Sequence, residues 1–202
     1  MNVHSFLYFG SMANKRNVIL RAAEQLIADE GLHNLSMQKL ATTAQVAAGT
    51  IYRYFTDKEA LISELRKDVL KNVAEFVFSG FTQESVEAQF THLWFNFLKL
   101  GSNRNSNQLN YQQYSQLPGI ESDDHRAFEQ NTFEPLLTMF KQGQQQGLII
   151  DLEDEYLFSI GFEPAIALGH RISEGHLEYN DSELLVVCKR CWSAISTSFS
   201  NS

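Results

Sequence analysis

The sequence predicts an all-α protein, a small N-terminal helical head followed by a larger helical domain. Three observations carry that expectation. Apolar residues return at helical spacing through most of the chain, no stretch alternates polar and apolar for long enough to make a strand, and Gly and Pro punctuate the periodic stretches. The 202 residues are 44% hydrophobic and 20% charged, an ordinary globular composition that can bury a real core. No apolar run approaches the roughly 20 residues needed to span a bilayer. The opening eleven residues lack the cationic start and sustained apolar stretch of a secretion signal, so a cytoplasmic location is expected. Residues 1–12 show no helical period and precede a second methionine, Met12; they read as a flexible arm, an upstream start or a cloning remnant.

Each element follows from its own signals. Val18, Ile19, Ala22, Ala23, Leu26 and Ile27 share a face of a first helix over about 14–30, and Gly31 stands where a left-handed stop would sit. Ser36 can cap a short helix carrying Leu40, Ala41 and Ala44, and a second short helix covers about 48–55. Thr56-Asp57-Lys58-Glu59 has the form of a capping box, opening a fourth helix that carries Leu61, Ile62, Leu65 and Val69 to about residue 78. The head thus spans about 13–60, and the second domain 80–202. Further helices are expected near 84–100, 107–116, 122–146, 152–175 and 182–198, with Asp151 and Asn180 as N-caps of the last two. Pro135 and Pro164 fall inside two of these, where a missing amide and a ring clash should kink the backbone.

A net charge of −8 argues at first against nucleic acid as a partner, but its distribution is uneven. Residues 1–72 hold 9 Lys/Arg against 7 Asp/Glu and the rest 7 against 17, so the two parts carry +2 and −10. A helix followed by two short helices with a tight connection is the geometry that seats a second, recognition helix in the major groove, which is wide enough to admit one. That geometry is sharpened by the strings Leu35-Ser36-Met37-Gln38-Lys39-Leu40-Ala41, Val46-Ala47-Ala48-Gly49-Thr50-Ile51-Tyr52-Arg53-Tyr54-Phe55 and Asp57-Lys58-Glu59-Ala60-Leu61.

Over about 18–65 the chain resembles the TetR family of bacterial transcription regulators, whose signature reads approximately T-x-x-x-I-A-x-x-A-G-V-S-x-G-T-x-Y-x-Y-F-x-x-K-x-x-L. Two departures stand out: the family's turn glycine is Gln45 here, and its serine cap before the recognition helix is Ala47. The resemblance implies a ligand-responsive homodimeric regulator, most often a repressor, on a pseudo-palindromic double-stranded operator. It implies DNA contacts from Ser36, Gln38, Ala48, Gly49, Thr50, Tyr52, Arg53, Tyr54 and Lys58, with Lys39, Lys15 and Arg16 as further candidates. Gly49 would permit close approach, the tyrosines would donate to phosphates, and Lys58 would supply a point charge. Taken singly, Tyr52 could be a core aromatic and Lys58 a solvated charge, and Phe55 is expected in the core.

The resemblance also implies a small-molecule cavity in the second domain, with Trp94, Phe97, Tyr114, Phe133, Phe162 and His170 as candidate lining. For most of these aromatics a plain core role is the competing reading. The surplus of carboxylates leans toward a neutral or cationic effector, while Arg126 and Arg171 are available for an anion. The last two long helices resemble the family's dimer pair, and Gly161, Ala165, Ala167, Gly169, Ser193 and Ala194 are small enough to allow close helix approach there. Cys188 and Cys191 form a CxxC that reads as two reduced, part-buried side chains on a helix. Asp123-Asp124-His125 and Glu174-Gly175-His176 complete no metal set, and no catalytic motif or cofactor loop is present. The readings set against a regulator are a helical interaction protein with a degenerate head and a small helical enzyme.

Overall fold

The computed structural model describes residues 3–82, 84–102 and 111–197. Among the described residues there are eleven α-helices: α1 (Val3–Glu30), α2 (Met37–Thr43), α3 (Ala48–Tyr54), α4 (Lys58–Val77), α5 (Val86–Ser102), α6 (Tyr111–Ser115), α7 (Asp123–Thr132), α8 (Glu134–Gln145), α9 (Asp154–Gly161), α10 (Glu163–Ser173) and α11 (Asp181–Ile195). A 3₁₀ turn, Leu32–Asn34, links α1 to α2. Among the described residues the one β feature is an isolated antiparallel bridge between Ile149 and Ser196.

The chain divides into two compact units, residues 1–70 with 105–128, and residues 71–104 with 129–202. Residues 105–128 group with the head, and α4 contributes to both units. In the first unit Ile19, Leu20, Leu26, Leu40, Ile51, Phe55, Leu61 and Leu65 are buried, closing α1–α4 around one small core. The second unit is built on aromatic packing, with Phe90 and Phe162 ring centroids 4.7 Å apart and Phe97 and Phe162 5.2 Å apart. Each fully buried ring of this kind is worth about 1.5–3 kcal/mol by area.

The helix ends follow their local chemistry, with several differences from expectation. α1 extends back to Val3, through the stretch where the sequence shows no helical period. Gly31 ends it at φ 83, ψ 157, an extended conformation open to glycine and not the left-handed helical stop. Ser36 caps α2 as expected, its hydroxyl accepting from the Lys39 amide at 3.2 Å. The capping box at 56–59 does not form. Asp57 caps α4 instead, Oδ1 accepting from the Ala60 amide at 2.7 Å, because the Thr56 hydroxyl donates to the Asp57 carboxylate. Asn180 caps α11 through the amides of Ser182 and Glu183, whereas α9 starts after Glu153 and leaves Asp151 outside. The start of the expected 107–116 helix and the end of the 182–198 helix lie outside the described residues.

The two proline-bearing helices are each broken in two. α7 gives way to α8 at Phe133, and α9 to α10 at Phe162, two residues before Pro135 and Pro164. Proline lacks an amide and its ring crowds the carbonyl four residues back, so it is tolerated in a first turn and not mid-helix.

The small residues on α9 and α10 serve this chain's own core. A Cβ on Gly169 would stand 2.1 Å from the Leu98 carbonyl oxygen, and one on Gly101 2.3 Å from that of Ile166. Ala165 is wholly buried and Gly161 faces the Phe90 ring. These residues let α5 and α10 approach backbone to backbone, a correction to their expected place on an outward dimer face; Ala167 and Ala194 alone of the six are exposed.

Candidate nucleic-acid interface

The turn between α2 and α3 is a Schellman stop made without glycine. The Val46 amide donates to the Ala41 carbonyl at 3.0 Å and the Gln45 amide to Thr42 at 3.1 Å, the six-to-one and five-to-two bonds of that motif. Gln45 occupies the left-handed position at φ 54. The same stop recurs after α8 and α10, where Leu148 donates to Gly143 and His176 to Arg171, and there glycines 147 and 175 take the positive φ. Gln45 thus bears the strain expected of it, of order 1 kcal/mol. Ala47 precedes α3 in extended conformation with no side-chain cap, as its sequence requires.

α3 turns Ile51 inward, fully buried, with Phe55 buried just beyond its end. That register leaves Ala48, Gly49, Tyr52 and Arg53 exposed, with Thr50 and Tyr54 half-buried at its edges. Tyr52 is 55% exposed, so it is not a core aromatic. A Cβ on Gly49 would meet nothing within 4 Å, so packing within the chain does not demand glycine there. Ser36 and Gln38 are exposed at the start of α2.

Several cations of the head have internal partners. Lys58 donates through Nζ to the carbonyls of Leu35 at 2.8 Å and Leu32 at 3.3 Å, closing the α1–α2 connection onto the start of α4. Sequence reasoning gave Lys58 a phosphate and missed these carbonyls, which no spacing signals because they lie 23 and 26 residues away. One ammonium donor remains for a phosphate. Lys39 pairs with Glu30, and Arg16 pairs with Glu64 while its guanidinium lies 6.0 Å from the Phe55 ring centroid. Lys15 and Arg53 are exposed.

The six residues expected to line an effector cavity have different settings within their own units. Trp94, Phe97 and Phe162 are packed into the second unit's core, and Phe133 meets Phe78 in a tilted contact with ring centroids 5.9 Å apart. His170 is exposed and lies 3.4 Å from Glu174, because α10 turns Ala165 and Gly169 inward and places residue 170 outside. Tyr114 belongs to the first unit, its phenol 2.9 Å from Nε2 of His125. Cys188 and Cys191 are free and buried, and burial pushes the Cys188 thiol up to about 12. Among the described residues no group of His, Cys, Asp and Glu could hold a metal ion, and no helix is long and apolar enough to cross a membrane.

Known proteins place this geometry. The profile of the bacterial regulatory proteins of the tetR family matches residues 19–65, and that of the tetracyclin repressor-like C-terminal domain matches residues 85–196. A helix-turn-helix-type transcriptional regulator of Haemophilus influenzae is 30% identical over 178 residues, 88% of this chain and 93% of the relative. A TetR-family regulator structure from Vibrio parahaemolyticus superposes with TM-score 0.80 at 37% identity, covering 90% of this chain and 98% of the other. One from Haemophilus influenzae does so with TM-score 0.79 at 29% identity, covering 92% and 98%. These relatives are transcriptional regulators and not enzymes. The chain belongs to the TetR family of transcriptional regulators, with a DNA-binding helix-turn-helix at α2–α3.

Proposed function

We propose that the protein is a homodimeric repressor that binds a pseudo-palindromic operator and is released by a small molecule. The observation that carries the DNA half is the register of α3, which buries Ile51 and Phe55 and turns Gly49, Tyr52 and Arg53 to solvent. Gly49 and Thr50 would meet base edges, Tyr52, Tyr54 and the remaining Lys58 donor would meet phosphates, and Ser36 and Gln38 would fix register from α2. Ala48, at the start of the recognition helix, adds a methyl to the same surface. A head of only +2 draws its affinity from such placed contacts and from two copies about one helical turn of DNA apart.

Dimerisation is supported by the exposed apolar side chains of the second unit. Tyr156 and Ile160 lie one turn apart on α9, and Leu185 and Val186 project from α11, each at least 39% exposed. A second copy covering them would account for that exposure. An effector that prefers one spacing of the two heads would change operator affinity by its differential affinity for the two states. A molecule held within the second unit would have to part the packed rings of Trp94, Phe97 and Phe162.

Selection of genomic fragments by the purified protein, followed by the salt dependence of the best fragment, tests the reading. One enriched pseudo-palindrome whose affinity falls with salt is expected. A folded dimer that enriches nothing at low salt would point to the interaction-protein reading.

A further inference from the structure

Arg66 projects from α4 with 7% of its surface exposed, and its guanidinium Nε has no hydrogen-bond partner. Its Nε is wholly enclosed. A buried arginine without a counter-charge is costly, and such groups are ordinarily paired. The chain makes room for it: a Cβ on Gly119, which sits at φ +77, would stand 2.5 Å from Nη1 and 3.2 Å from both Cζ and Nη2.

His125, on α7, belongs to the same unit and is 2% exposed. Its Nε2 is engaged with the Tyr114 phenol at 2.9 Å, and its Nδ1 is enclosed with no partner. Burial holds its pKa down, and the charges of Arg66 and Lys67 act in the same direction, all favouring the neutral ring. In the tautomer that has the phenol donate to Nε2, the ring proton sits on Nδ1. In that tautomer two enclosed donors, Arg66 Nε–H and His125 Nδ1–H, lack acceptors in a field of positive sign. A neutral acceptor would leave the guanidinium charge uncompensated, and a cation would add to it. An oxyanion offers acceptor lone pairs to both, and a guanidinium binds carboxylate and phosphate through paired N–H donors.

We propose that Arg66, His125 and Tyr114 form an anion-recognition site, and that the effector carries an oxyanion head, a carboxylate or a phosphate. The proposal rests on the ligand-responsive reading above and reverses the lean toward a neutral or cationic effector that the acidic composition suggests.

The test uses the full chain with acetate, inorganic phosphate, octanoate, octyl phosphate and octanol as probes, reading the unfolding midpoint and calorimetric affinity. At least one of the four anions is expected to bind and raise the midpoint while octanol does not, and octanoate against octyl phosphate tells carboxylate from phosphate. Arg66→Met is expected to lose at least about tenfold in anion affinity. Without a probe it should melt no lower than the parent, because an uncompensated buried charge has gone. An arginine with a merely structural role would show the opposite. Should Arg66→Met fail to fold, Arg66→Lys retains the charge, loses the fork, and is expected to lose at least about tenfold too. Octanol matching octanoate, no anion binding at all, or unchanged affinity in these variants would overturn the site. Operator affinity of the ligand-free chain is measured alongside. Intact operator binding with no anion response defeats the anion site alone, whereas lost operator binding defeats the repressor reading and leaves the anion titration readable.

Discussion

A methyl group added to Gly169 would come within 2.1 Å of the carbonyl oxygen of Leu98. The atom it meets is backbone, which cannot swing aside as a side chain could, so α10 would have to lift from α5. Gly169→Ala is expected to destabilise the protein by about 3 kcal/mol, the upper end for overpacking. Ala167→Gly, at an exposed helical position nearby, should cost about 1 kcal/mol from propensity alone. Chemical denaturation of the two variants checks the contrast, and equal losses would show that the α5–α10 contact yields.

Gln45→Gly should stabilise the head by about 1 kcal/mol, since φ 54 carries a steric cost for a residue with a Cβ. Ala47→Ser should add about 1 kcal/mol by capping α3. Both gains are read as midpoint shifts in denaturant at unchanged slope. No gain at Gln45 would mean that the side chain compensates its own backbone.

Lys58→Met is expected to weaken both fold and DNA binding. The Leu32 and Leu35 carbonyls would lose their charged donor, at about 1–2 kcal/mol for a half-exposed pair of bonds. Stability and operator affinity should be measured on the same preparation. A variant as stable as the parent would show that water serves those carbonyls equally well.

Tyr52→Ala and Arg53→Ala touch exposed positions and should leave stability within about 0.5 kcal/mol. Both are expected to reduce operator affinity. Arg53→Ala alone should also lower the slope of log affinity against log salt by about 1. Parental affinity in both at matched salt would remove this face from the interface.

Cys188 should resist thiol reagents in the native state. With the thiol pushed up to about 12, only about one molecule in ten thousand is thiolate at pH 8. Labelling should track global unfolding, and fast native labelling would reveal local opening around α11.

Much of the head was legible because its signals are local. Ser36, Ile51 and Phe55 each report a constraint set by near neighbours, and the structure honours them, while Gly31 ends α1 in an extended rather than a left-handed helical conformation. Among the described residues helix existence was legible from about residue 14 onward but not in the first turns of α1, and the breaks fell at Phe133 and Phe162 because a proline's lesion acts on residues before it. The candidate effector residues were less legible. An aromatic at helical spacing fills a core or lines a cavity with the same periodicity, and Trp94, Phe97 and Phe162 fill a core. Gly161 and Gly169 announced a close approach without naming the partner, which is α5. Arg66 and His125 lie 59 residues apart, and only the folded chain brings both into one unit.

The stop between α2 and α3 shows what is held constant at that position. The hydrogen bonds from Gln45 and Val46 are those made after α8 and α10, yet the residue in left-handed space differs. It is therefore the backbone path that the fold requires, and the side chain is free to drift among types that tolerate it. Asparagine, aspartate and glycine are open to this position at little cost, while valine, isoleucine and threonine are closed. A search for such readers that insists on glycine at the turn will pass over proteins whose α3 is presented in the same way.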